Sequence, residues 1–143
     1  MKKLLILLFL IPLISCTEDW TGEKEVTVLQ IRNEIAYEVN SEVSFTGKYV
    51  EYSDNGQKEY EGNFKNGKKN GLMTVWSENG QKLIETNYKN GKQDGLWTGW
   101  HENGQKQFET NYKNGKKNGL MTWWDKEGNI DETETYKDGK LVK

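Results

Sequence analysis

Cysteine, histidine and proline are nearly absent from this chain of 143 residues, which contains one of each. A single cysteine cannot form an intrachain disulfide, and one cysteine with one histidine is too few for a zinc cluster. His101 lies at a predicted turn, where a solvated side chain is the simplest interpretation. No glycine-rich stretch has the spacing of a phosphate-binding loop. These absences predict a protein that is not an enzyme and that holds no metal or cofactor.

Long hydrophobic runs are also missing, apart from one of 11 residues at positions 4–14. It follows two lysines and is too short to span a bilayer as a helix, which predicts a signal peptide over residues 1–15. The Leu-Ile-Ser-Cys of residues 13–16 resembles a bacterial lipobox, in which cleavage precedes the cysteine and lipid is attached to it. The alternative is an ordinary secretory signal beside an incidental thiol. Because the only cysteine falls at the cleavage point, the pattern favours lipidation of Cys16.

The net charge and the predicted signal peptide together indicate where the protein resides. Loss of residues 1–15 removes two lysines, which leaves 18 basic and 22 acidic side chains and a net charge of −4. This balance and the predicted export argue against nucleic acid as a partner. Residues 16–24 are polar and are expected to form a lipidated tether, with a reach of at most about 28 Å. The acidic Thr-Glu-Asp of 17–19 resembles a surface-export signal, so we expect a lipid anchor in the cell envelope, at the outer membrane or cell surface.

Glycine, in contrast, is abundant, and many of the 15 glycines recur at an interval of 24 residues. Residues 71–94 and 95–118 are identical at 17 of 24 positions. A fixed period of this length indicates an array of small supersecondary units. Four units are predicted, at residues 47–70, 71–94, 95–118 and 119–142.

Each unit has the pattern of two strands and two tight turns. The runs at 72–77 and 81–88 are rich in β-branched and aromatic residues, which suit a pleated, half-buried strand. The Glu-Asn-Gly of 78–80 fits a three-residue hairpin loop, in which a type I turn is followed by a left-handed glycine. The Lys-Asn-Gly of 89–91 supplies the second turn. The predicted fold is therefore all-β, with tandem β-hairpin repeats that form an elongated antiparallel meander sheet.

The same loop predicts which side chains share a face of the sheet. Counting from it places Trp76 on an apolar face with Ile84 and Tyr88. The opposite face is then polar, except for a row of apolar side chains that has Val75 and Trp123 beside it. With Trp123, this predicted apolar row consists of Tyr49, Met73, Trp97, Met121 and Trp123. A contiguous apolar row of this kind is a candidate protein-binding surface. The alternative is that a second layer or the N-terminal segment covers it.

The second turn of every unit is rich in lysine, and all four of these turns fall at one edge of the predicted sheet. Ten lysines are expected to form a basic ridge there: Lys65, Lys68, Lys69, Lys89, Lys92, Lys113, Lys116, Lys117, Lys137 and Lys140. The central four, Lys89, Lys92, Lys113 and Lys116, are the candidates for contact with anionic headgroups. The other interpretation is that these charges only keep the edge soluble.

The repeated elements resemble a known family. Trp76, the Glu-Asn-Gly-Gln-Lys of 78–82 and the Asn-Gly-Lys of 90–92 look like the variant MORN repeat of bacterial proteins labelled YwqK-type antitoxins. The Phe-Thr-Gly-Lys of 45–48 resembles the start of the repeat array in that family. The resemblance covers roughly residues 25–143. It implies a hairpin-repeat β-sheet and implies little about activity.

The two ends of the array depart from the repeat. Residues 25–46 lack its glycines but contain strand-like runs, so we expect an N-terminal capping β segment. The last unit becomes acidic at 131–134, and these charges would discourage pairing between sheet edges.

Together these features favour a non-catalytic repeat platform that binds an unidentified envelope or toxin protein, in an antitoxin-like or immunity-like role. The alternative is a module that binds cell-wall glycan or anionic lipid, since aromatic hairpin repeats of this size also resemble those of wall-binding proteins.

We predict that Cys16→Ser abolishes incorporation of labelled palmitate and moves the protein out of the detergent phase, because the thiol that carries the lipid is removed and with it the acyl chains that anchor the protein. Metabolic labelling and detergent phase partitioning measure both effects. Ser15→Ala keeps the thiol and a small residue before it, and should behave like the unmodified sequence. A Cys16→Ser protein that still fractionates with membranes would contradict the lipid anchor.

Overall fold

A computed structural model describes residues 24–142 of the chain. The predicted signal peptide, the lipidation site at Cys16 and the tether up to residue 23 lie outside the described residues. Residues 24–142 contain twelve strands and no helix. Within this part of the chain, therefore, no helix is long and apolar enough to cross a membrane.

Ten strands form one continuous sheet, and two form a separate hairpin. In chain order the strands are β1 Glu25–Val26, β2 Gln30–Arg32, β3 Ile35–Tyr37, β4 Gly47–Tyr52, β5 Lys58–Lys65, β6 Lys68–Trp76, β7 Lys82–Lys89, β8 Lys92–Trp100, β9 Lys106–Lys113, β10 Lys116–Trp124, β11 Ile130–Lys137 and β12 Lys140–Leu141. From β4 to β12 every strand pairs antiparallel with the next, while β1 pairs parallel with the outer side of β4. The predicted all-β antiparallel meander is confirmed.

Two kinds of turn alternate along the sheet, and each explains one recurring glycine. At the Glu-Asn-Gly turn, Gly80 N donates to Ser77 O at 2.8 Å, and Gly80 has a φ of 78°. This is the predicted type I turn followed by a left-handed glycine. At the Lys-Asn-Gly turn, both Asn90 (φ 50°) and Gly91 (φ 82°) are left-handed, as a two-residue type I′ hairpin requires. Asparagine and glycine are the residues that adopt this conformation at the lowest cost.

The predicted division of side chains between the faces is wrong, because each hairpin contains a β-bulge after the Glu-Asn-Gly turn. Val75 pairs with Ile84, whereas Trp76 pairs with Lys82. Leu83 is therefore an extra residue without a partner on the opposite strand. One extra residue exchanges the two faces for the rest of the strand. Trp76 therefore lies on the opposite face from Ile84 and Tyr88. The extra residues of the other three hairpins are Glu59, Gln107 and Asp131.

The bulges sort the side chains into two faces of different chemistry. The aromatic face carries the predicted apolar row together with the remaining large rings and aliphatic residues: Tyr49, Tyr60, Phe64, Met73, Val75, Ile84, Tyr88, Trp97, Phe108, Tyr112, Met121, Trp123 and Tyr136. The ladder face carries tryptophans that alternate with lysines: Lys58, Trp76, Lys82, Trp100, Lys106 and Trp124. The predicted apolar row thus lies along the aromatic face, and not on an otherwise polar one.

A row of threonines along the middle of each face, together with Val50 of the first unit, forms the most buried part of the repeat array. Thr74 and Thr98 are buried on the ladder face, and Thr86 and Thr110 are 1% exposed on the aromatic face. Long side chains of the neighbouring strands cover them from both sides. Because a single sheet layer buries little apolar surface, most of its stability must come from contacts between adjacent strands and units.

The N-terminal segment packs on the first unit. Ala36 N donates to Gly67 O at 2.8 Å, and Gly67 N donates to Phe45 O at 2.7 Å. Ala36, Phe45 and Phe64 form a buried hydrophobic cluster, against which Tyr49 is partly buried. The N-terminal segment therefore covers the end of the aromatic face that belongs to the first unit, which we call the cap end.

One prediction follows from how the third unit is packed. A Cβ atom on Gly99 would overlap the Phe108 ring, which occupies the space that a side chain at position 99 would need. We expect Gly99→Val to destabilise the protein by about 1–3 kcal/mol, since the ring must be displaced. Adding Phe108→Ile recreates the Val75–Ile84 pair of the preceding unit and should recover most of this loss.

Urea unfolding of the two single variants and the double variant measures the coupling between positions 99 and 108. Additive effects of the two substitutions would contradict the packing described above.

Candidate functional site

On the aromatic face, Trp97 packs against two rings of the neighbouring strand. Its ring meets Phe108 edge-on, with 4.8 Å between ring centroids, and Tyr112 at 5.4 Å. Phe108 can approach because Gly99, on the adjacent strand, has no side chain. Edge-to-face contacts of this kind are favourable, because the positive edge of one ring meets the negative face of the other, and they restrict the orientation of Trp97. The indole remains half-exposed on this support.

Tyr49, at the covered end of the aromatic face, takes part in internal packing. Its ring lies 5.7 Å from that of Tyr60 and 6.4 Å from that of Phe64. Burial and a hydrogen bond to Glu51 raise the pKa of Tyr49 to about 12, and burial raises the pKa of Tyr60 to about 12. Both phenols therefore stay neutral at physiological pH, and Tyr49 is half-buried beside the rings of Tyr60 and Phe64.

The rest of the predicted apolar row differs in accessibility. Met121 is only 6% exposed, whereas Met73, Trp97 and Trp123 are half-buried. The structure adds three half-buried tyrosines that the sequence placed on the other face: Tyr88, Tyr112 and Tyr136. These tyrosines are recognisable in the sequence from the recurring Asn-Tyr pair. Counting from the turn without the bulge, however, assigned them to the wrong face of the sheet.

Two lysines expected in the basic ridge lie on the aromatic face instead. Lys69 Nζ is 5.7 Å from the ring centroid of Tyr60 and 5.2 Å from that of Tyr88. Lys117 Nζ is 4.6 Å from the centroid of Tyr136 and 5.8 Å from that of Trp123. These distances are within the range of cation–π attraction. Burial lowers the pKa of Lys69, which shows that this ammonium has lost part of its hydration.

On the ladder face, each tryptophan is paired with a lysine of the preceding hairpin. Lys82 Nζ lies 5.4 Å from the Trp100 centroid and 2.5 Å from Glu85 Oε2, and the arrangement recurs in the neighbouring units. Glu61, Glu85 and Glu109 are thus ion-paired in the same way. Because an acid–base pair requires two carboxylates in different environments, this repetition favours a structural role.

At the turn edge, lysines face each other directly across the hairpins. Lys89 pairs with Lys92, Lys113 pairs with Lys116, and the first and last turns repeat the arrangement. Like charges directly opposite each other in a sheet are destabilising. Lys89, Lys92 and Lys113 also border a surface depression of about 760 Å³ beside Tyr112. The basic ridge therefore exists at the edge, without Lys69 and Lys117.

In the described part of the chain, three buried polar atoms, Arg32 Nε and the hydroxyl oxygens of Thr86 and Thr110, have no hydrogen-bond partner, whereas His101 has one. His101 Nε2 lies 2.9 Å from Trp124 O and links two adjacent turns. Among residues 24–142, no three His, Cys, Asp or Glu side chains are close enough to hold a metal ion.

Comparison with known proteins identifies the repeat. No curated protein matches the chain. The model of the MORN repeat variant matches four segments, which together span more than half of the chain: 45–66, 69–90, 93–114 and 117–138. Each segment coincides with one hairpin of the sheet, from β4–β5 to β10–β11. Repeats of this family are generally non-catalytic modules that bind proteins or lipids. The chain therefore belongs to the MORN repeat variant family.

Proposed function

We propose that this chain is a lipid-anchored protein of the bacterial cell envelope, whose aromatic face binds a protein partner. The proposal rests on the half-exposed aromatic side chains beyond the part that the N-terminal segment covers. They are Tyr88, Trp97, Tyr112, Trp123 and Tyr136.

These residues have the composition of an interface centre. Tryptophan and tyrosine dominate binding energy at protein interfaces because they bury large area with few rotatable bonds. The edge-on contacts of Trp97 with Phe108 and Tyr112 already restrict its ring, so little side-chain entropy is lost when a partner covers it. From β7 to β11 the face extends over four strand spacings, about 19 Å, which suits one face of a small protein.

The partner we propose is an envelope or toxin protein, with this chain in an antitoxin-like or immunity-like role. The predicted lipid on Cys16 and the short tether support this assignment, because they would hold the sheet within reach of proteins that enter or act at the membrane. Among the described residues, the aromatic face offers a binding surface and we find no candidate catalytic group. Both points fit a protein that acts by binding its partner and blocking it.

We predict that Trp97→Ala with Trp123→Ala lowers partner affinity at least tenfold, because each truncated indole at an interface centre costs about 2 kcal/mol. The matched control is Trp76→Ala with Trp100→Ala, which removes two indoles from the ladder face and should leave affinity unchanged. The partner is captured from envelope extracts, identified, purified and titrated against each variant.

Thermal unfolding of both double variants shows whether they remain folded. Undiminished binding by a folded Trp97→Ala, Trp123→Ala protein would exclude the aromatic face as the interface.

The basic ridge favours a second function, in which the sheet edge binds anionic lipid or the charged glycan of the cell wall. Lysines that repel each other across each turn are retained in all four units, although they cost stability. An anionic surface would offset this repulsion, with each lysine contributing on the order of 1 kcal/mol near the membrane.

We predict that the Cys16→Ser protein binds vesicles with anionic headgroups weakly and that 0.5 M salt removes this binding, because surface charges are then screened. Replacing Lys89, Lys92, Lys113 and Lys116 with Gln should abolish it. A control with the same loss of charge replaces Lys58, Lys82, Lys106 and Lys126 with Gln and should retain binding. Co-sedimentation measures all three proteins.

Equal binding to neutral and anionic vesicles would show that the ridge serves only solubility. A titration with purified cell-wall glycan tests the other ligand in the same way.

A further inference from the structure

A groove lies between the N-terminal hairpin and the second unit of the sheet, and it adjoins the aromatic face at Tyr88. Its volume is about 760 Å³, a size that is common for ligand sites. Strands β2 and β3 line one part of it, and the Lys-Asn-Gly turns at 65–67 and 89–91 line another. The hairpin is held against the sheet because Ala36 N donates to Gly67 O at 2.8 Å.

The apolar part of the lining comes from both the hairpin and the sheet. Ile31 is 61% exposed and Ile35 is half-buried, while Phe64 and Tyr88 belong to the sheet. Aliphatic side chains beside aromatic rings leave apolar surface in contact with water here. An apolar group of a ligand that covered this surface would be favoured by the hydrophobic effect.

Lys69 is the cation of the groove that lacks a counter-ion. Its ammonium group lies against the rings of Tyr60 and Tyr88 and 3.6 Å from Met73 Sδ. No carboxylate of residues 24–142 forms an ion pair with it. Burial lowers the pKa of Lys69, as expected when an ammonium loses hydration without gaining an anion. Because desolvated charges in proteins are generally paired, Lys69 favours an anion from outside the chain.

The other charged side chains of the groove restrict which anion it accepts. Lys68 and Lys92 line the groove together with Lys69, and Glu34 is the one acidic residue among the described residues that line it. Three lysines and one glutamate leave an excess of two positive charges. Glu34 would repel a second negative charge, so a single carboxylate fits this balance better than a phosphate dianion.

Lys117 shows what is particular about Lys69. It has the same position in the last unit and lies against Trp123 and Tyr136. There, however, Glu134 pairs across the strands with Met121, whose sulfur is 3.0 Å from the Lys117 ammonium. A carboxylate of the chain itself is thus a near neighbour of Lys117.

We propose that the groove binds an acidic side chain of the partner protein, a glutamate or aspartate that follows an aliphatic residue. The carboxylate would lie on Lys69, and the aliphatic group would lie against Ile31 and Ile35. This inference rests on the proposed function, since it names chemistry by which the partner is recognised. Tyr88 belongs to both the groove and the proposed interface, so one partner can cover the two together.

N-acetyl-isoleucyl-glutamate amide is the probe, and N-acetyl-isoleucyl-glutamine amide is its neutral counterpart of the same shape. The full chain, with ¹³C-labelled isoleucine methyl groups, is held in nanodiscs of phosphatidylcholine, which has no net charge. Ile31 and Ile35 report on the groove, and Ile130, in the last unit, reports on unspecific binding.

We expect the acidic probe to shift the Ile31 and Ile35 methyl resonances but not that of Ile130. Its affinity should be about tenfold higher than that of the neutral probe, because hydrogen bonds between charged groups are the stronger ones. Equal affinities of the two probes would reject an anion site.

Variants at one repeat position test the lysine. Lys69→Gln should weaken binding of the acidic probe about tenfold, because the ion pair is lost. Glutamine is compatible with this backbone, since Gln93 is the equivalent residue of the third unit. The carbonyl oxygens of both residues accept a hydrogen bond from the next turn glycine at 2.8 Å. Lys117→Gln removes the same charge from the last unit and should leave binding unchanged. Unchanged affinity in Lys69→Gln, or an equal loss in both variants, would overturn the proposal.

Two further substitutions test the lining. Ile31→Ser removes exposed apolar surface and should weaken binding of the acidic probe, followed at Ile35, whereas Val43→Ser changes a 76% exposed residue outside the groove and should not. Glu34 has a φ of 64°, so Glu34→Gly suits the left-handed backbone and also removes the repelling charge. It should bind the acidic probe more tightly. Weaker binding by Glu34→Gly, or full binding by Ile31→Ser, would contradict the proposed site.

The remaining results separate this inference from other ligands and from the proposed function. Inorganic phosphate that shifts the groove resonances at a lower concentration than the acidic probe would assign the groove to a phosphate ligand and reject a protein carboxylate. Partner binding that is lost on Trp97→Ala with Trp123→Ala but kept in Lys69→Gln would reject this inference alone. Partner binding that survives in both proteins would reject the proposed function as well.

Discussion

Pairing between consecutive strands is the interaction on which the rest of this structure depends. The sheet is one layer thick over most of its length, and its most buried side chains are Val50 and a row of threonines. Each threonine is covered only because the strands on both sides bring long side chains over it. The hydrophobic contribution of each unit therefore requires its neighbours, as is general for repeat proteins. The N-terminal segment, with Ala36 and Phe45, provides the missing neighbour for the first unit.

The β-bulge in each hairpin converts this uniform ladder into two chemically distinct faces. Without it, Trp76 would join Ile84 and Tyr88, and one face would hold nearly all the rings. With it, the tryptophans of the ladder face are covered by lysines that are themselves ion-paired, as Lys82 is with Glu85. On the aromatic face beyond the cap, Lys69 contacts Tyr88, and Lys117 contacts Trp123 and Tyr136. The β-bulge thus decides which aromatic side chains lie on the ladder face, under ion-paired lysines, and which lie on the face that we propose for a partner.

Function in a repeat protein arises where units differ, since equal units provide only the scaffold. The third unit departs from its neighbours in a coordinated way. Gly99 makes room for Phe108, Phe108 and Tyr112 orient Trp97, and Gln93 stands where the flanking units have lysine. None of these changes disturbs the turns or the strand pairing. The result is that Trp97 packs against aromatic rings at the position where the flanking units have a methionine beside a lysine.

The sequence alone determined the period, the turns and therefore the strand order, because glycine and asparagine are required wherever the backbone is left-handed, as at Gly80, Asn90 and Gly91. It also identified the residues of the apolar row and the lysine-rich edge. It could not assign side chains to faces, since Leu83 has no feature that marks it as an extra residue and one extra residue reverses all that follow. The positions of Lys69 and Lys117 were also set by tertiary structure, because only the packed rings of adjacent strands draw a flexible lysine from the sheet edge onto its face.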